Sequence, residues 1–129
     1  MNSEEFERKL LKEFPNLYVD MYGDMRHTCM AWGVNVEAGW HDIIYDLSKK
    51  LEEIILAMPA DQRKQFRASQ VKEKYGTLRF YMTSETAEMS ALINEAEAKS
   101  EVTCEFCGAD GSISEIGGWV KTLCSSCRK

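Results

Sequence analysis

The chain has 129 residues, enough for one compact domain or a small domain with an appendage, and too few for two full-sized domains. Apolar residues make up 44% and charged residues 29%, which is ordinary globular usage and excludes wholesale disorder. With 16 Lys and Arg against 21 Asp and Glu, the formal net charge is −5, so any nucleic acid would have to meet a local basic patch. No apolar stretch approaches a membrane span, and the first residues, Met1-Asn2-Ser3-Glu4-Glu5, supply neither the basic region nor the apolar core of an export signal. A cytoplasmic protein without a membrane partner is expected.

The pattern predicts a first helix over about residues 3–14, capped by Asn2 or Ser3, stopped by Pro15 and carrying Phe6, Leu10, Leu11 and Phe14 on one side. Residues 16–39, punctuated by Gly23, Gly33 and Gly39, read as loops with one or two short strands. The clearest helix spans about residues 40–58, where Trp40, Ile43, Ile44, Leu47, Leu51, Ile54, Ile55 and Met58 recur at three- and four-residue spacing until Pro59 ends the run. Residues 70–82 read as a β-hairpin bending at Gly76. A Gly76-Thr77 turn would pair Tyr75 with Leu78, Glu73 with Phe80 and Val71 with Met82, leaving Lys72, Lys74, Arg79 and Tyr81 on the opposite face. A third helix over about residues 84–99 would bury Ala87, Met89, Leu92, Ile93 and Ala96, with Thr83 or Ser84 as its cap.

The tail carries the sharpest signal. Cys104-x2-Cys107 and Cys124-x2-Cys127 are separated by 16 residues, the spacing of a four-cysteine zinc ribbon. A tight turn between two cysteines aims both sulfurs at one ion, Gly108 suits the positive φ such a knuckle needs, and the segment through Trp119 to Leu123 reads as a returning hairpin. Four thiolates leave no position for water, so the expected Zn2+ is single and structural. Paired disulfides would require an oxidising compartment. The fifth cysteine, Cys29, is expected to be a small buried apolar residue. The fold class is therefore α+β: three helices on a short antiparallel sheet over residues 1–103, with a ribbon over residues 104–129 packed on that body.

The strings Gly39-Trp40-His41-Asp42-Ile43-Ile44-Tyr45-Asp46-Leu47 and Val71-Lys72-Glu73-Lys74-Tyr75-Gly76-Thr77-Leu78-Arg79-Phe80-Tyr81, followed by the four-cysteine tail, resemble a group of small proteins encoded by bacteriophages and prophages. The likeness covers about residues 33–127. It implies a virus-derived accessory protein with a C-terminal zinc ribbon, acting in the bacterial host cytoplasm on a host protein, and it implies no reaction. The position of His41 is usually aromatic in that group, which argues against a shared histidine-based activity.

Three functional readings follow. The first is a non-enzymatic interaction protein that binds and modulates a host protein. The second is a nucleic-acid-binding regulator using Lys72, Lys74, Arg79 and Tyr81, set in a stretch where six basic residues face two acidic ones. Against it, such a stretch is also what a solvated strand face or a protected sheet edge carries, or it neutralises the net −4 of residues 85–101. The third is an enzyme using His27 (near Asp24 and Cys29) or His41, for which no oxyanion or phosphate-binding motif is present. Trp119 is expected to cover the metal site or to dock the ribbon on the body, in preference to the alternative that it and Phe106 are exposed contact residues.

Overall fold

Asn2 opens the first helix by accepting the Glu5 backbone N–H at 2.8 Å, with Glu4 and Glu5 at the positive end of the helix dipole. This helix, α1, spans Ser3–Glu13 and ends at Phe14, just before Pro15. Phe6, Leu10 and Phe14 are buried along one stripe, as their spacing requires. The structure, a computed structural model, describes residues 2–23 and 29–128. Between α1 and the sheet come turns that bury Leu17, Tyr18 and Met21, and then a 3-10 turn over Cys29–Trp32. Cys29 is exposed, contrary to the expectation from sequence, because the buried place in that turn goes to the larger Met30. His27 and Asp24 lie outside the described residues.

Helix α2 spans His41–Leu56 and buries Ile43, Ile44, Leu47, Leu51 and Ile55. Two polar residues share that buried stripe. Ser48 Oγ lies 2.5 Å from the Tyr18 hydroxyl. Glu52, only 4% exposed, accepts the Leu17 N–H at 2.8 Å, the Asn16 N–H at 3.3 Å and the Asn16 side-chain amide at 2.8 Å. Together they fasten the chain after α1 onto α2.

The main sheet has the order β1-β2-β3, with β1 at Val34–Asn35, β2 at Ala68–Lys74 and β3 at Thr77–Met82. β2 and β3 are antiparallel as expected, and the two-residue β1 adds a parallel edge. The expected hairpin register is corrected. Lys74 pairs with Thr77, Glu73 with Leu78, Lys72 with Arg79 and Val71 with Phe80, so the turn is Tyr75-Gly76. Both turn residues have positive φ, 53° and 83°, the geometry that matches the right-handed twist of the strands. A tyrosine held there costs about 1–2 kcal/mol. Because the register moved by an even number of residues, the strand residues keep the faces the sequence predicted; Tyr75, expected on the core face opposite Leu78, is instead in the turn and 70% exposed.

Helix α3, Ala87–Ser100, is capped by Thr86, whose side chain accepts the Met89 N–H. Thr83, one of the expected caps, instead accepts the Arg67 N–H and donates to Gln65 O at the end of the hairpin. The helix therefore starts later than expected and Ala87 is exposed, while Met89, Ile93 and Ala96 reach the core. α3 packs on α2 and on β3, and it closes the open side of β3: Ser100 Oγ accepts the Leu78 N–H at 2.9 Å and Glu97 accepts the Phe80 N–H at 3.0 Å. A second antiparallel pair, β4 (Ser112–Ile116) and β5 (Trp119–Leu123), forms the ribbon hairpin. Among the described residues, no helix is long and apolar enough to cross a membrane.

Removing the Glu52 carboxylate strands two backbone N–H groups. Glu52→Ala should cost about 2–4 kcal/mol in urea-induced unfolding, and Glu52→Gln, which keeps one acceptor oxygen, should cost less.

Candidate metal centre

Each cysteine pair is held by its own backbone turn. Cys104 O accepts the Gly108 N–H at 2.9 Å and Cys104 N–H reaches Ala109 O at 2.7 Å, with Gly108 at φ 83° as the knuckle requires. In the second knuckle the Cys127 N–H points at Cys124 Sγ, 3.4 Å away, and the Arg128 N–H bonds to Cys124 O. The β4–β5 hairpin brings the two knuckles together, so that the sulfurs of Cys104, Cys107, Cys124 and Cys127 all lie within 4.8 Å of one another. Cys107 Sγ and Cys124 Sγ are 3.5 Å apart, and all four cysteines are free thiols. A tetrahedron with metal–sulfur bonds of about 2.3 Å has sulfur–sulfur edges of about 3.8 Å, so the set is already close to the size an ion needs.

The electrostatics agree with that use. Burial pushes the Cys104 thiol up, but backbone N–H groups of Cys107, Cys124 and Phe106 outweigh it and bring it down to about 6. The Cys127 thiol is pushed up to about 12 by the neighbouring Cys124 and Cys104 sulfurs. Four sulfurs this close cannot all ionise unaided; a divalent cation removes the conflict by binding them as thiolates. The four cysteines can hold one metal ion, with no position left over for a reacting molecule.

The tetrad is joined to the body through the segment just before α2. The Gly39 N–H bonds to Glu105 O at 2.6 Å, and the Trp40 indole N–H bonds to Thr103 O at 2.9 Å. A Cβ at position 39 would stand 2.1 Å from Cys104 O and 2.4 Å from Glu105 O, so only glycine permits this approach. Glu105 is buried and its carboxylate accepts the Glu37 N–H at 3.2 Å. Lys121 lies 3.5 Å from Glu105 and 3.4 Å from Glu73, linking ribbon and main sheet. Burial holds the Glu105 carboxyl above the usual carboxylate range, with Lys121 pulling against it. The Thr122 hydroxyl donates to Gly76 O at 2.6 Å, fixing the β2–β3 turn against β5.

Trp119 does neither of the things its sequence context suggests. It pairs with Ile116 at the far tip of the ribbon and is 72% exposed. The tryptophan that docks the ribbon is Trp40, fully buried. Lys72 stands directly across from Arg79 and Gln70 across from Tyr81, so the structure does bring Lys72, Lys74, Arg79 and Tyr81 to the outer face of the hairpin. His41 stacks its ring on Phe6 at 3.8 Å, and burial lowers its basicity. Beside it a groove is lined by Lys9, Asp42 and Tyr45. Compared with known proteins, the chain matches no family model, no curated protein and no solved structure.

Gly39→Ala should detach the ribbon, lowering stability by about 3 kcal/mol or more and speeding thiol modification of the metal-loaded protein. Gly117→Ala, at a tip where a Cβ meets nothing within 4 Å, is the control and should cost only about 1 kcal/mol through its positive φ.

Proposed function

We propose that the protein is a non-enzymatic interaction protein built around one structural zinc ion. The observation that carries this reading is the joining of a closed four-sulfur set to the body at Gly39, Trp40 and Glu105. Four thiolates favour zinc, which has no geometric demand beyond the tetrahedron they offer. The ribbon's own apolar core is little more than Leu123 beside the cysteines, so the ion supplies the free energy that folds it, on the order of 10 kcal/mol or more. The folded ribbon then steadies the Tyr75-Gly76 turn through Thr122 and Val120. Zinc here shapes a surface. The ring of His41 spread on Phe6 supports a packing role for that histidine.

The resemblance to phage- and prophage-encoded proteins supports a bacterial host as the setting, where the protein acts by binding and modulating a host macromolecule. Sequence alone ranks a host protein ahead of nucleic acid as the partner. The outer hairpin face favours the second reading, because among the described residues none of Lys72, Lys74 and Arg79 pairs with a carboxylate.

Elemental analysis of purified protein should find one zinc per chain, falling sharply in Cys104→Ser and Cys124→Ser. Chelation should abolish amide-exchange protection in β4 and β5 while leaving α1–α3 largely protected, since the body has its own core. Metal-free protein with an equally protected ribbon, or mass spectrometry showing the four sulfurs joined as disulfides, would sink the zinc reading.

A further inference from the structure

We propose that the outer face of the β2–β3 hairpin, together with Trp119 on the strand that the hairpin turn rests against, binds single-stranded nucleic acid: Lys72, Lys74 and Arg79 meet the phosphates, and Tyr81, Tyr75 and Trp119 stack on bases. This rests on the interaction-protein reading and names the partner.

The cations are unspent. Among the described residues, Arg8, Arg67 and Lys121 sit on carboxylates, and Arg63 and Arg128 are hydrogen-bonded to backbone oxygens. None of Lys72, Lys74 and Arg79 has a carboxylate within ion-pair distance there, and Lys74 merely lies over the Tyr75 ring at 5.6 Å. Arg79 Nε is the one buried side-chain nitrogen or oxygen among those residues without a hydrogen-bond partner. Two of the ordinary explanations for such cations fail. β2 is paired on both sides at Lys72, and the Leu78 and Phe80 N–H groups on the open side of β3 are already taken by Ser100 and Glu97, so Lys72 and Arg79 guard no open edge. Among the described residues, no carboxylate of α3 forms an ion pair with them.

The aromatics complete the pattern. Tyr81 is 42% exposed, Tyr75 70% and Trp119 72%. The Tyr75-Gly76 turn rests on Val120 and Lys121 of β5, the strand that Trp119 begins. Along β2, Lys72 and Lys74 are two rises of about 3.3 Å apart, a step suited to successive phosphates of an extended strand. Exposed rings stack unpaired bases, which a duplex withholds, so the ligand is single-stranded. The net charge of −5 confines binding to this strip and to low or moderate salt.

Fluorescence anisotropy with labelled 12-nucleotide oligo(dT) and oligo(U), against a duplex of the same length, tests this on the full-length chain. Binding to the single strands should weaken with salt with a log–log slope of about −2, from about three phosphate contacts. Changing Lys72, Lys74 and Arg79 together to Gln should weaken it at least about tenfold and flatten the slope. Tyr75→Asn is the decisive single change. Asn accepts positive φ, so the variant should melt about 2–5 °C higher, yet bind about fivefold or more weaker through loss of stacking.

Absence of binding at about 100 μM protein in low salt, at the weak end of sequence-independent affinity, would overturn the proposal. So would equal affinity for duplex, or affinity unchanged in these variants. A dimer dissolved by Trp119→Ser, in a chain that ignores oligonucleotides, would also overturn it and assign the tip to self-association. Metal content measured on the same samples separates the two ideas. Zinc-loaded, folded protein that ignores single strands sinks this surface alone, whereas metal-free protein that binds them through these residues upholds the surface and removes the zinc.

Discussion

The peptide of Gly39 lies against the carbonyls of Cys104 and Glu105 with no room for a side-chain carbon, and the rest of the molecule is arranged around that approach. On one side of it begins α2, whose first buried residue, Trp40, reaches across to Thr103 O. On the other side stands the first cysteine knuckle. Neither half of this contact is strong alone. A ribbon with Leu123 and cysteine sulfurs for a core cannot offset its own ordering entropy, and a glycine before a helix gains nothing from its conformational freedom. Joined, they make the four-cysteine set a part of the domain. The buried Glu105 carboxylate, lying between the Glu37 N–H and Lys121, shows how far the two halves have been fitted to each other.

What could be read from the sequence follows the range of the interaction concerned. The cysteine tetrad was legible because its spacing is itself the geometry: two residues between sulfurs fix a knuckle wherever the chain goes next. The stripes of α1 and α2 were legible for the same local reason. The hairpin was legible in its faces and not in its register, because the pattern places glycine first in the turn while the fold places Tyr75 there, and an even slip leaves every residue on its own side. Long-range polar contacts left no such trace. Glu52 sits where the helical pattern puts solvent, and its role depends on Asn16 and Leu17 far along the chain. Gly39 looked like loop punctuation, and only the approach of Cys104 shows why no other residue fits.

Charge distribution illustrates the same limit. Residues 61–79 carry a net positive charge and residues 85–101 a net negative one, and from counts alone the two segments could cancel. Among the described residues they do not meet as ion pairs. Glu97 is used as an acceptor for the Phe80 N–H, and α3 lies against the core side and open side of β3, whereas Lys72 and Arg79 face outward from the sheet. A protein whose overall charge repels polyanions thus keeps a narrow cationic strip that its own carboxylates leave alone. The range of that strip is about one screening length, so it can attract only what comes within contact distance.

Foldable sequences satisfy local preferences wherever they can, and isolated departures therefore carry information. Tyr75 is such a departure. It occupies the left-handed turn position that Asn, Asp or Gly would fill without strain, and its ring is largely in solvent, where it recovers little of that cost through packing. Trp119 departs in a second way, as the most exposed large apolar side chain among the described residues, at a glycine-rich tip that needs no aromatic residue to form. The turn that carries Tyr75 is fastened to β5, the strand that Trp119 begins, through Thr122 and Gly76. A metal ion that stabilised only its own ribbon would leave that arrangement without a reason. One that also steadies the Tyr75-Gly76 turn through β5 would make the ribbon the support of the proposed surface.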